Sequence, residues 1–423
     1  MRPADLVVRN IGRLATLAGP VPRTGAALRD LAFVDAAAVA AHRGRVVYAG
    51  PEAGLAELVA PEPTAAVLDA EGAAVLPGFV DAHTHLAFAG DRDEEIRRRL
   101  AGASYREIAA AGGGIVRSVE ATRRAPREEL ARAIRSRLDE MLLQGTTTAE
   151  VKSGYGLATE AEVRSLEAIR DAAAAHPVTV VPTFLGAHEV PIEHRGDRDR
   201  YLRLLTDEMI PEVARRGLAS FCDVFCEEGV FSVAESRTIL AAARDRGLKL
   251  RLHADELAGT GGAELAAEMG ARSADHLIHV SEAGIRALAA APCAATLLPA
   301  ATFYLRLPRF APARALVEAG APVALASDAN PGGGLSPSMP FAMTVACFAM
   351  GLSLEEAVSA ATLNAAWSLD VHEEAGSVEI GKRADLVVLR SPRLLDLLRV
   401  GVPAIRAVVK DGRVVVRDGR VAA

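Results

Sequence analysis

The central part of the chain alternates short apolar runs with longer amphipathic stretches. This alternation is typical of βα units that form a parallel sheet. Residues 127–144 and 160–175 carry alanine, leucine and arginine at helical spacing, which predicts packed outer helices. Eight apolar runs predict strands, the number that closes a (β/α)8 TIM barrel. The predicted strands are residues 75–82, 146–152, 178–185, 221–226, 249–254, 272–278, 293–298 and 323–328.

The two chain ends show a different pattern. Residues 6–68 contain short β-rich runs separated by Gly and Pro, and residues 384–416 repeat that pattern with Asp411-Gly412 as a hairpin signal. Chain termini often meet beside an inserted domain. We therefore predict an α/β chain with a small discontinuous β-sandwich domain, residues 1–70 plus 375–423, and a barrel of residues 71–374.

Composition narrows the classes of partner. A chain of 423 residues with a formal net charge of -6 has no basic excess of the kind that nucleic-acid binding requires. No apolar run approaches the roughly 20 residues of a membrane span, and residues 1–13 lack the features of a signal peptide. The four cysteines show no CxxC spacing and predict no disulfide framework. We expect a soluble, reduced, cytoplasmic protein without nucleic-acid or membrane partners.

Histidines end the first predicted strand, in Asp81-Ala82-His83-Thr84-His85. Side chains two apart on a strand point the same way, so both imidazoles can bind one metal ion. By itself, this spacing is as typical of two surface histidines as of a metal site. Its meaning depends on the other strand ends.

Three further polar residues end predicted strands: His253 the fifth, His276 the sixth and Asp328 the eighth. The carboxyl ends of all barrel strands open on one face, where active sites lie. Each residue alone could be a capping or hydrogen-bonded polar group. Together with His83 and His85, they favour a metal site on that face.

These residues, with the run LPGFVDAHTH at 76–85, resemble the amidohydrolase superfamily. The resemblance covers nearly the whole chain and implies a (β/α)8 barrel beside a β-sandwich made from both chain ends. It also implies a divalent metal, zinc or iron, since imidazole and carboxylate ligands suit both. The implied metal ligands are His83, His85, His253 and Asp328.

The sequence departs from the binuclear members of that superfamily, which supply a carboxylated lysine from the fourth strand. Cys226, Glu227 and Glu228 stand at that position here. Lys249 begins the fifth strand and therefore lies at the wrong end of the barrel. Lys152, which ends the second strand, is the less favoured candidate for a bridging ligand. We therefore expect one divalent ion per chain.

Longer stretches resemble the imidazolonepropionases, the ring-opening enzymes of histidine degradation. They are residues 111–115 (AGGGI), 151–157 (VKSGYGL), 221–229 (FCDVFCEEG), 253–256 (HADE), 273–276 (SADH) and 328–332 (DANPG). The resemblance implies a small-molecule substrate, 4-imidazolone-5-propanoate, which a metal-activated water opens to N-formimidoyl-L-glutamate. It also makes a homodimer plausible.

The implied reaction needs a proton relay from water to the ring nitrogen. Glu256, His276 and Asp328 are the candidate catalytic residues, since they should border the metal. Glu256 could instead be an exposed loop residue. His276 could instead be a weak axial ligand or a hydrogen-bond donor to the developing oxyanion.

The resemblance makes Arg92 the candidate that binds the propanoate carboxylate, with which a guanidinium can pair in bidentate fashion. We interpret the nearby Arg97 to Arg99 as solvated helix charges. Gly333-Gly334 removes side-chain donors from the last barrel loop, so we expect carboxylate contacts there through backbone N–H groups. The further candidates for substrate binding are Tyr155, His188, Glu256, Asn330, Gly332, Gly333 and, as a weaker one, Tyr105.

Two other functions compete. A deaminase acting on guanine or cytosine would use the same metal scaffold but has no carboxylate for Arg92 to bind, so Arg92→Ala would barely affect it. A non-catalytic barrel that binds a small acid or scaffolds an assembly would purify without metal. The complete ligand set favours the hydrolase.

Overall fold

The computed structural model describes residues 1–102 and 114–422. Its central sheet has eight strands that pair in chain order and in parallel, which confirms the predicted (β/α)8 barrel. The barrel strands are Phe79–Asp81, Thr146–Lys152, Thr179–Ala187, Phe221–Cys226, Lys249–Ala254, Ser273–His276, Ala294–Leu297 and Val323–Leu325.

The barrel closes just beyond the ends of its first and eighth strands. The backbone N–H of Asp328 donates to the carbonyl of His83 at 3.1 Å, and the N–H of His85 donates to the carbonyl of Ala329 at 2.9 Å. Thr84 and Ala329 form an isolated parallel bridge between them. The seam of the barrel is therefore at the end that carries the predicted metal ligands.

Helices surround the barrel, and the two predicted outer helices are present as Arg127–Leu143 and Thr159–Ala174. Most of their leucine and alanine positions are buried and most of their charged positions face outward, as helical periodicity requires, with Glu162 as a buried exception. The other α-helices are Leu55–Leu58, Asp93–Leu100, Ile115–Arg124, Arg198–Arg203, Ile210–Arg215, Val233–Asp245, Gly262–Met269, Glu282–Ala290, Pro299–Tyr304, Ala313–Glu318, Met339–Met350, Leu354–Ala360 and Leu363–Ser368. A π-helix spans Leu204–Met209, and 3-10 helices span Gly25–Arg29, Glu52–Gly54, Ile192–His194 and Leu394–Leu398.

Both chain ends form a second sheet of nine strands, as predicted. Its core takes Leu6 and Ile11 from the N-terminal segment and Leu386 and Val409 from the C-terminal one. The hairpin predicted at Asp411-Gly412 joins two antiparallel strands. The strands are Arg2–Ala15, Phe33–His42, Arg45–Pro51, Val59–Asp69, Ala74–Pro77, Leu386–Leu389, Ile405–Lys410, Arg413–Arg417 and Arg420–Val421.

The prediction of one strand over residues 75–82 is wrong. Ala74–Pro77 belongs to the terminal sheet, where it pairs with Arg2–Ala15 and Leu386–Leu389, and only Phe79–Asp81 belongs to the barrel. Gly78 joins them, and a Cβ there would lie 2.2 Å from Oγ1 of Thr147. Both strands are buried, so the change of sheet left no polar residue to mark it. We now propose the domain boundary at Gly78 rather than at residue 70.

Two predictions from composition have structural counterparts. The four cysteines are free thiols, three of them buried. Within residues 1–102 and 114–422, no helix is long and apolar enough to cross a membrane.

Candidate active site

A cavity of about 450 Å³ opens at the carboxyl ends of the barrel strands. It brings together most of the predicted site residues from seven segments of the chain, while His83 lies fully buried beside it. Tyr105 lies outside the residues that the structure describes. The predicted residues that line the cavity are His85, Arg92, Tyr155, His188, His253, Glu256, His276, Asp328, Asn330, Gly332 and Gly333.

Three imidazoles converge at the bottom of this cavity. Nε2 of His85 lies 3.1 Å from Nε2 of His83 and 3.3 Å from Nε2 of His253. Oδ1 of Asp328 lies 3.4 Å from Nε2 of His85 and 3.6 Å from Nε2 of His83. Ligands bound to one tetrahedral ion at about 2.0–2.1 Å are separated by about 3.3 Å, and these four distances are close to that value. Two overlapping groups could hold an ion: His83, His85 and Asp328, and His83, His253 and His276.

Carboxylates behind two of the imidazoles decide which nitrogens carry protons. Oδ2 of Asp275 lies 2.6 Å from Nδ1 of His83, and Oδ2 of Asp223 lies 3.0 Å from Nδ1 of His253. A carboxylate at Nδ1 favours a proton there and leaves the Nε2 lone pair facing the centre. Burial is the largest cause that lowers the pKa of His83 well below its usual range, so this imidazole is neutral.

Unpartnered buried atoms also fit a cation at this point. Oδ1 of Asp328 is buried without a hydrogen-bond partner in the described part of the chain. Buried polar atoms are normally satisfied, and an ion is a common reason when they are not. The donor set and these atoms together support a divalent metal centre.

His276 and Glu256 face each other beside the imidazole cluster. Oε1 of Glu256 lies 3.6 Å from Nδ1 of His276, whose Nε2 is buried without a partner among described residues. Burial, followed by the charges of Asp328 and Glu227, raises the pKa of Glu256 well above its usual range. Burial lowers the pKa of His276 well below its usual range. The raised pKa favours the protonated form of Glu256, and the lowered pKa favours the neutral imidazole of His276.

Glu227 fixes the loop that carries Glu256. Its carboxylate accepts the backbone N–H groups of Glu256 at 3.1 Å and Leu257 at 2.8 Å. The sequence identified Glu227 only as the residue in place of a metal-bridging lysine. In the structure it orients the catalytic candidate Glu256 instead.

A layer of buried charges lies beneath the imidazoles. Nζ of Lys152 contacts Glu150 and Asp223, each at 2.7 Å, and Nη2 of Arg251 contacts Asp275 at 3.2 Å. We call these five residues the barrel floor. Burial lowers the pKa of Lys152, but Asp223 and Glu150 raise it by more, so the ammonium stays charged. A protonated lysine held by two carboxylates is not a metal ligand, which supports a single ion.

One wall of the cavity is aromatic. The ring of His188 stacks on His85 at 5.0 Å between centroids, and Tyr155 meets His188 edge-on at 5.3 Å. Nδ1 of His188 lies 2.9 Å from the carbonyl of Gly154. Burial lowers the pKa of His188 to about 3, so the imidazole is neutral. A planar ring fits between such side chains.

The cavity is also lined by two arginines of a buried ionic cluster, Arg92, Glu95 and Arg99, which we call the arginine clamp. Nε of Arg92 donates to Glu95 at 2.8 Å, and Nη2 makes a second hydrogen bond to the same carboxylate. Glu95 also accepts the backbone N–H of Gly114 at 2.8 Å. Nη1 of Arg92 lies against Gly332, where a Cβ would be 2.1 Å away.

The interpretation of Arg99 as a solvated helix charge is wrong. Its side chain is buried in the cavity wall, lies 3.4 Å from Oε1 of Glu95 and donates to the carbonyl of Gly332 at 2.7 Å. The amphipathic pattern of Asp93–Leu100 hid this, because a run of three arginines gives no sign of which one faces a cavity. Arg97, two residues earlier, is exposed as predicted.

The loop after the eighth strand is held by its own side chain. Nδ2 of Asn330 donates to the carbonyl of Asp328, while Oδ1 accepts the N–H groups of Gly332 at 2.9 Å and Gly333 at 2.6 Å. Of the two backbone donors expected to contact a carboxylate, at Gly333 and Gly334, the N–H of Gly333 is therefore already engaged by Asn330. Asn330 shapes the loop that supports Arg92 and Arg99.

Several carboxylates that support the site were not predicted. Asp223 and Asp275 lie inside barrel strands, where both faces are buried, and a charge at such a position needs a partner. That signal could have found both. Glu95 lies in a helix with many charges, and the sequence gives no comparable signal for it.

Comparisons with known proteins agree with this geometry. A family model described as "Amidohydrolase family" matches residues 92–416. An imidazolonepropionase from Symbiobacterium thermophilum is 51% identical, with 98% of this chain and 97% of that protein covered. Another from Geobacillus kaustophilus is 47% identical, with 98% of each covered. The chain belongs to the amidohydrolase family and, within it, to the imidazolonepropionases.

Solved structures share the fold of this family. An adenosine deaminase from Xanthomonas campestris with bound zinc has a TM-score of 0.74 at 19% identity, covering 100% of this chain and 95% of that one. An atrazine chlorohydrolase from Arthrobacter aurescens complexed with zinc has a TM-score of 0.73 at 18% identity, covering 98% and 96%. At such low identity, these likenesses show the amidohydrolase fold alone.

Proposed function

We propose that this chain hydrolyses 4-imidazolone-5-propanoate to N-formimidoyl-L-glutamate, the ring-opening step of histidine degradation. The observation that carries the proposal is a single cavity lined both by residues of the cation-binding cluster and by Arg92 and Arg99 of the arginine clamp. The substrate has a ring amide to be cleaved and a propanoate to be bound. The near-full-length similarity to imidazolonepropionases supports the same assignment.

His83, His85, His253 and Asp328 would hold one divalent ion, and their spacing supports that assignment. When bound, such an ion acts as a Lewis acid and lowers the pKa of water from 15.7 to about 7. Zinc and iron both suit imidazole and carboxylate ligands. Elemental analysis of the purified protein identifies the ion.

The reaction adds a water oxygen to the ring carbonyl carbon, breaks the carbon–nitrogen bond and moves a water proton to the departing nitrogen. Asp328, a metal-ligand candidate that lines the cavity, is assigned to accept the proton from water. Glu256, whose pKa is raised by burial, is assigned to deliver a proton to the nitrogen. His276, with Nε2 unpartnered among the described residues, is assigned the hydrogen bond to the developing oxyanion.

The remaining wall residues bind and orient the substrate. Nη1 of Arg92 is left for the propanoate, since Nε and Nη2 are engaged by Glu95. Tyr155 and His188 are assigned to hold the ring between the clamp and the imidazole cluster. A carboxylate at one end and a polar ring at the other then fix the orientation of the scissile bond.

The deciding experiment is a substrate panel on metal-analysed wild-type protein. We expect turnover of freshly generated 4-imidazolone-5-propanoate to N-formimidoyl-L-glutamate, no ammonia from guanine or cytosine, and strongly reduced turnover of an imidazolone without the propanoate. A fully metallated protein that leaves the first substrate unchanged would sink the assignment. Ammonia release from either base would then point to a deaminase.

A further inference from the structure

Lys152 lies at the end of the second barrel strand and is completely buried. Its Nζ is 2.7 Å from Oε1 of Glu150 and 2.7 Å from Oδ2 of Asp223, and none of the three side chains is exposed. Burying three charges is costly unless each is paired in good geometry. Because this arrangement is costly, we looked to the contacts of the barrel floor for a function other than stability.

The first branch of this network leads to His253. Asp223 places Oδ2 3.0 Å from Nδ1 of His253 and accepts the backbone N–H of the same residue on Oδ1 at 3.2 Å. One carboxylate therefore fixes both the ring and the backbone of a metal-ligand candidate. Lys152 holds that carboxylate from the other side.

The second branch leads to the first strand end. Oε2 of Glu150 accepts the backbone N–H of Thr84 at 3.1 Å, and Oγ1 of Thr84 donates to the carbonyl of Glu150 at 2.6 Å. Thr84 lies between His83 and His85 in the chain. The orientation of Glu150 therefore governs the backbone from which both imidazoles project.

We propose that Lys152 is a positioning residue that fixes the metal ligands on two barrel strands at once, through Asp223 and through Glu150. The inference rests on the metal centre in the proposed function. Without the ammonium, the two buried carboxylates would lose the cation that they share and would turn away from each other. His253 and the segment 83–85 would then lose the geometry in which their nitrogens converge.

This role excludes Lys152 as a carboxylated bridging ligand. Carboxylation would replace its positive charge by a negative one between Glu150 and Asp223, at distances where like charges repel strongly. The ammonium is needed by both carboxylates. The contribution of Lys152 to the ion is therefore indirect.

The test is the zinc affinity of the full-length protein, stripped of metal and titrated in competition with a chromophoric chelator. Lys152→Met has similar length without the charge, and its matched control is Lys249→Met. Lys249 also lies in a barrel strand and pairs with a carboxylate, Asp370, but at the opposite end. We expect Lys152→Met to weaken zinc binding about 10–100-fold, as loss of outer-shell support does. We expect Lys249→Met to leave it unchanged.

The thermal midpoint of the metal-free protein separates positioning from stability. Loss of a purely structural lysine would lower that midpoint without changing the zinc affinity of the folded protein. A folded Lys152→Met with zinc affinity within about threefold of wild type would therefore overturn the proposal.

Asp223→Asn and the double variant Lys152→Met/Asp223→Asn test the route. If Lys152 acts mainly through Asp223, the double variant binds zinc little more weakly than Asp223→Asn alone, since residues in one network are not additive. Fully additive losses would refute that route. Should Lys152→Met not fold, wild-type-like zinc affinity of Asp223→Asn would refute it as well.

The zinc titration needs no substrate, so it separates this inference from the proposed function. If wild-type protein binds one zinc per chain but does not open the imidazolone ring, the substrate assignment is overturned. The role of Lys152 in zinc binding is then still tested by the titration. Wild-type protein that binds no divalent metal overturns both.

Discussion

The barrel floor and the arginine clamp are both buried ionic networks, but the floor has an excess of negative charge and the clamp an excess of positive charge. The floor sets two cations, Lys152 and Arg251, against three carboxylates. The clamp sets two arginines against the single carboxylate of Glu95. The floor therefore favours a cation above it, and the clamp favours an anion beside it.

The two networks also differ in the elements that build them. The floor lies on barrel strands, whose ladders fix each side chain. The clamp lies on Asp93–Leu100 and the residue just before it, and it contacts the loop after the eighth strand. A metal centre needs ligand positions that are accurate to a fraction of an ångström. A carboxylate site tolerates more movement because a guanidinium offers several donors. Buried ion pairs thus support the metal centre in the barrel floor and substrate recognition in the arginine clamp.

The largest effect expected from this difference is that of His253→Ala, which removes the ligand that the floor supports. We expect loss of the bound ion and a fall in kcat of at least about a thousandfold, because Lewis-acid catalysis contributes several kcal/mol and about 1.4 kcal/mol corresponds to tenfold. His176→Ala, an outer histidine that pairs with Asp139, is the matched control. Retention of metal and turnover in His253→Ala would contradict the ligand assignment.

The second-largest effect is expected from Arg92→Ala, which removes the guanidinium that is assigned to donate hydrogen bonds to the propanoate. A hydrogen bond to a charged group contributes about 1.5–3 kcal/mol, so KM should rise roughly tenfold to a hundredfold with the metal content unchanged. Arg97→Ala, an exposed arginine on the same helix, should leave KM at its wild-type value. An unchanged KM for Arg92→Ala would mean that the propanoate binds elsewhere.

A smaller change is expected from Gly332→Ala, which adds one methyl group to the clamp. Its Cβ would lie 2.1 Å from Nη1 of Arg92, so the guanidinium must move. Repacking of about 1 kcal/mol corresponds to a KM increase of roughly three- to tenfold, with little change in kcat. Gly196→Ala is the control, because no atom lies within 4 Å of its added Cβ. Steady-state kinetics in which kcat falls instead would place Gly332 at the reacting end.

Glu356→Gln should leave the activity unchanged, because Glu356 lies in neither the barrel floor nor the arginine clamp. Burial raises the pKa of Glu356, but hydrogen bonds from Arg314, Ser353 and Arg29 lower it by more, to about 2. A depressed pKa contributes stability above the unfolded value of 4.5, and that stability is lost as pH falls toward 2.

We therefore expect Glu356→Gln to destabilise the fold by about 1–2 kcal/mol at pH 7, since its arginine partners are partly exposed. The difference between the urea midpoints of variant and wild type should shrink between pH 4.5 and 2, the two pKa limits of Glu356. A difference that stays constant through this range would show that the carboxylate is not the source of the stability.

The sequence predicted the barrel and the imidazole cluster because both depend on local signals. Apolar runs identify strands, and strand ends identify the face on which His83, His253 and Asp328 meet. The clamp was only half predictable. Arg92 was identified through a family resemblance. Arg99 gains its role from its buried contact with Gly332, and Glu95 from its bonds to both arginines, and no periodicity expresses either.

Residues 75–82 were predicted as one strand but belong to two sheets, and this has a practical consequence for protein engineering. Gly78 passes the chain from the terminal sheet into the barrel, and its N–H donates to the carbonyl of Asp385 near the other chain end. The first barrel strand leads directly to His83 and is thus anchored by both termini. The terminal sheet is not a removable module: deleting it would free the strand that presents the histidine pair, so truncations and fusions should leave residues 74–78 and 385–389 intact.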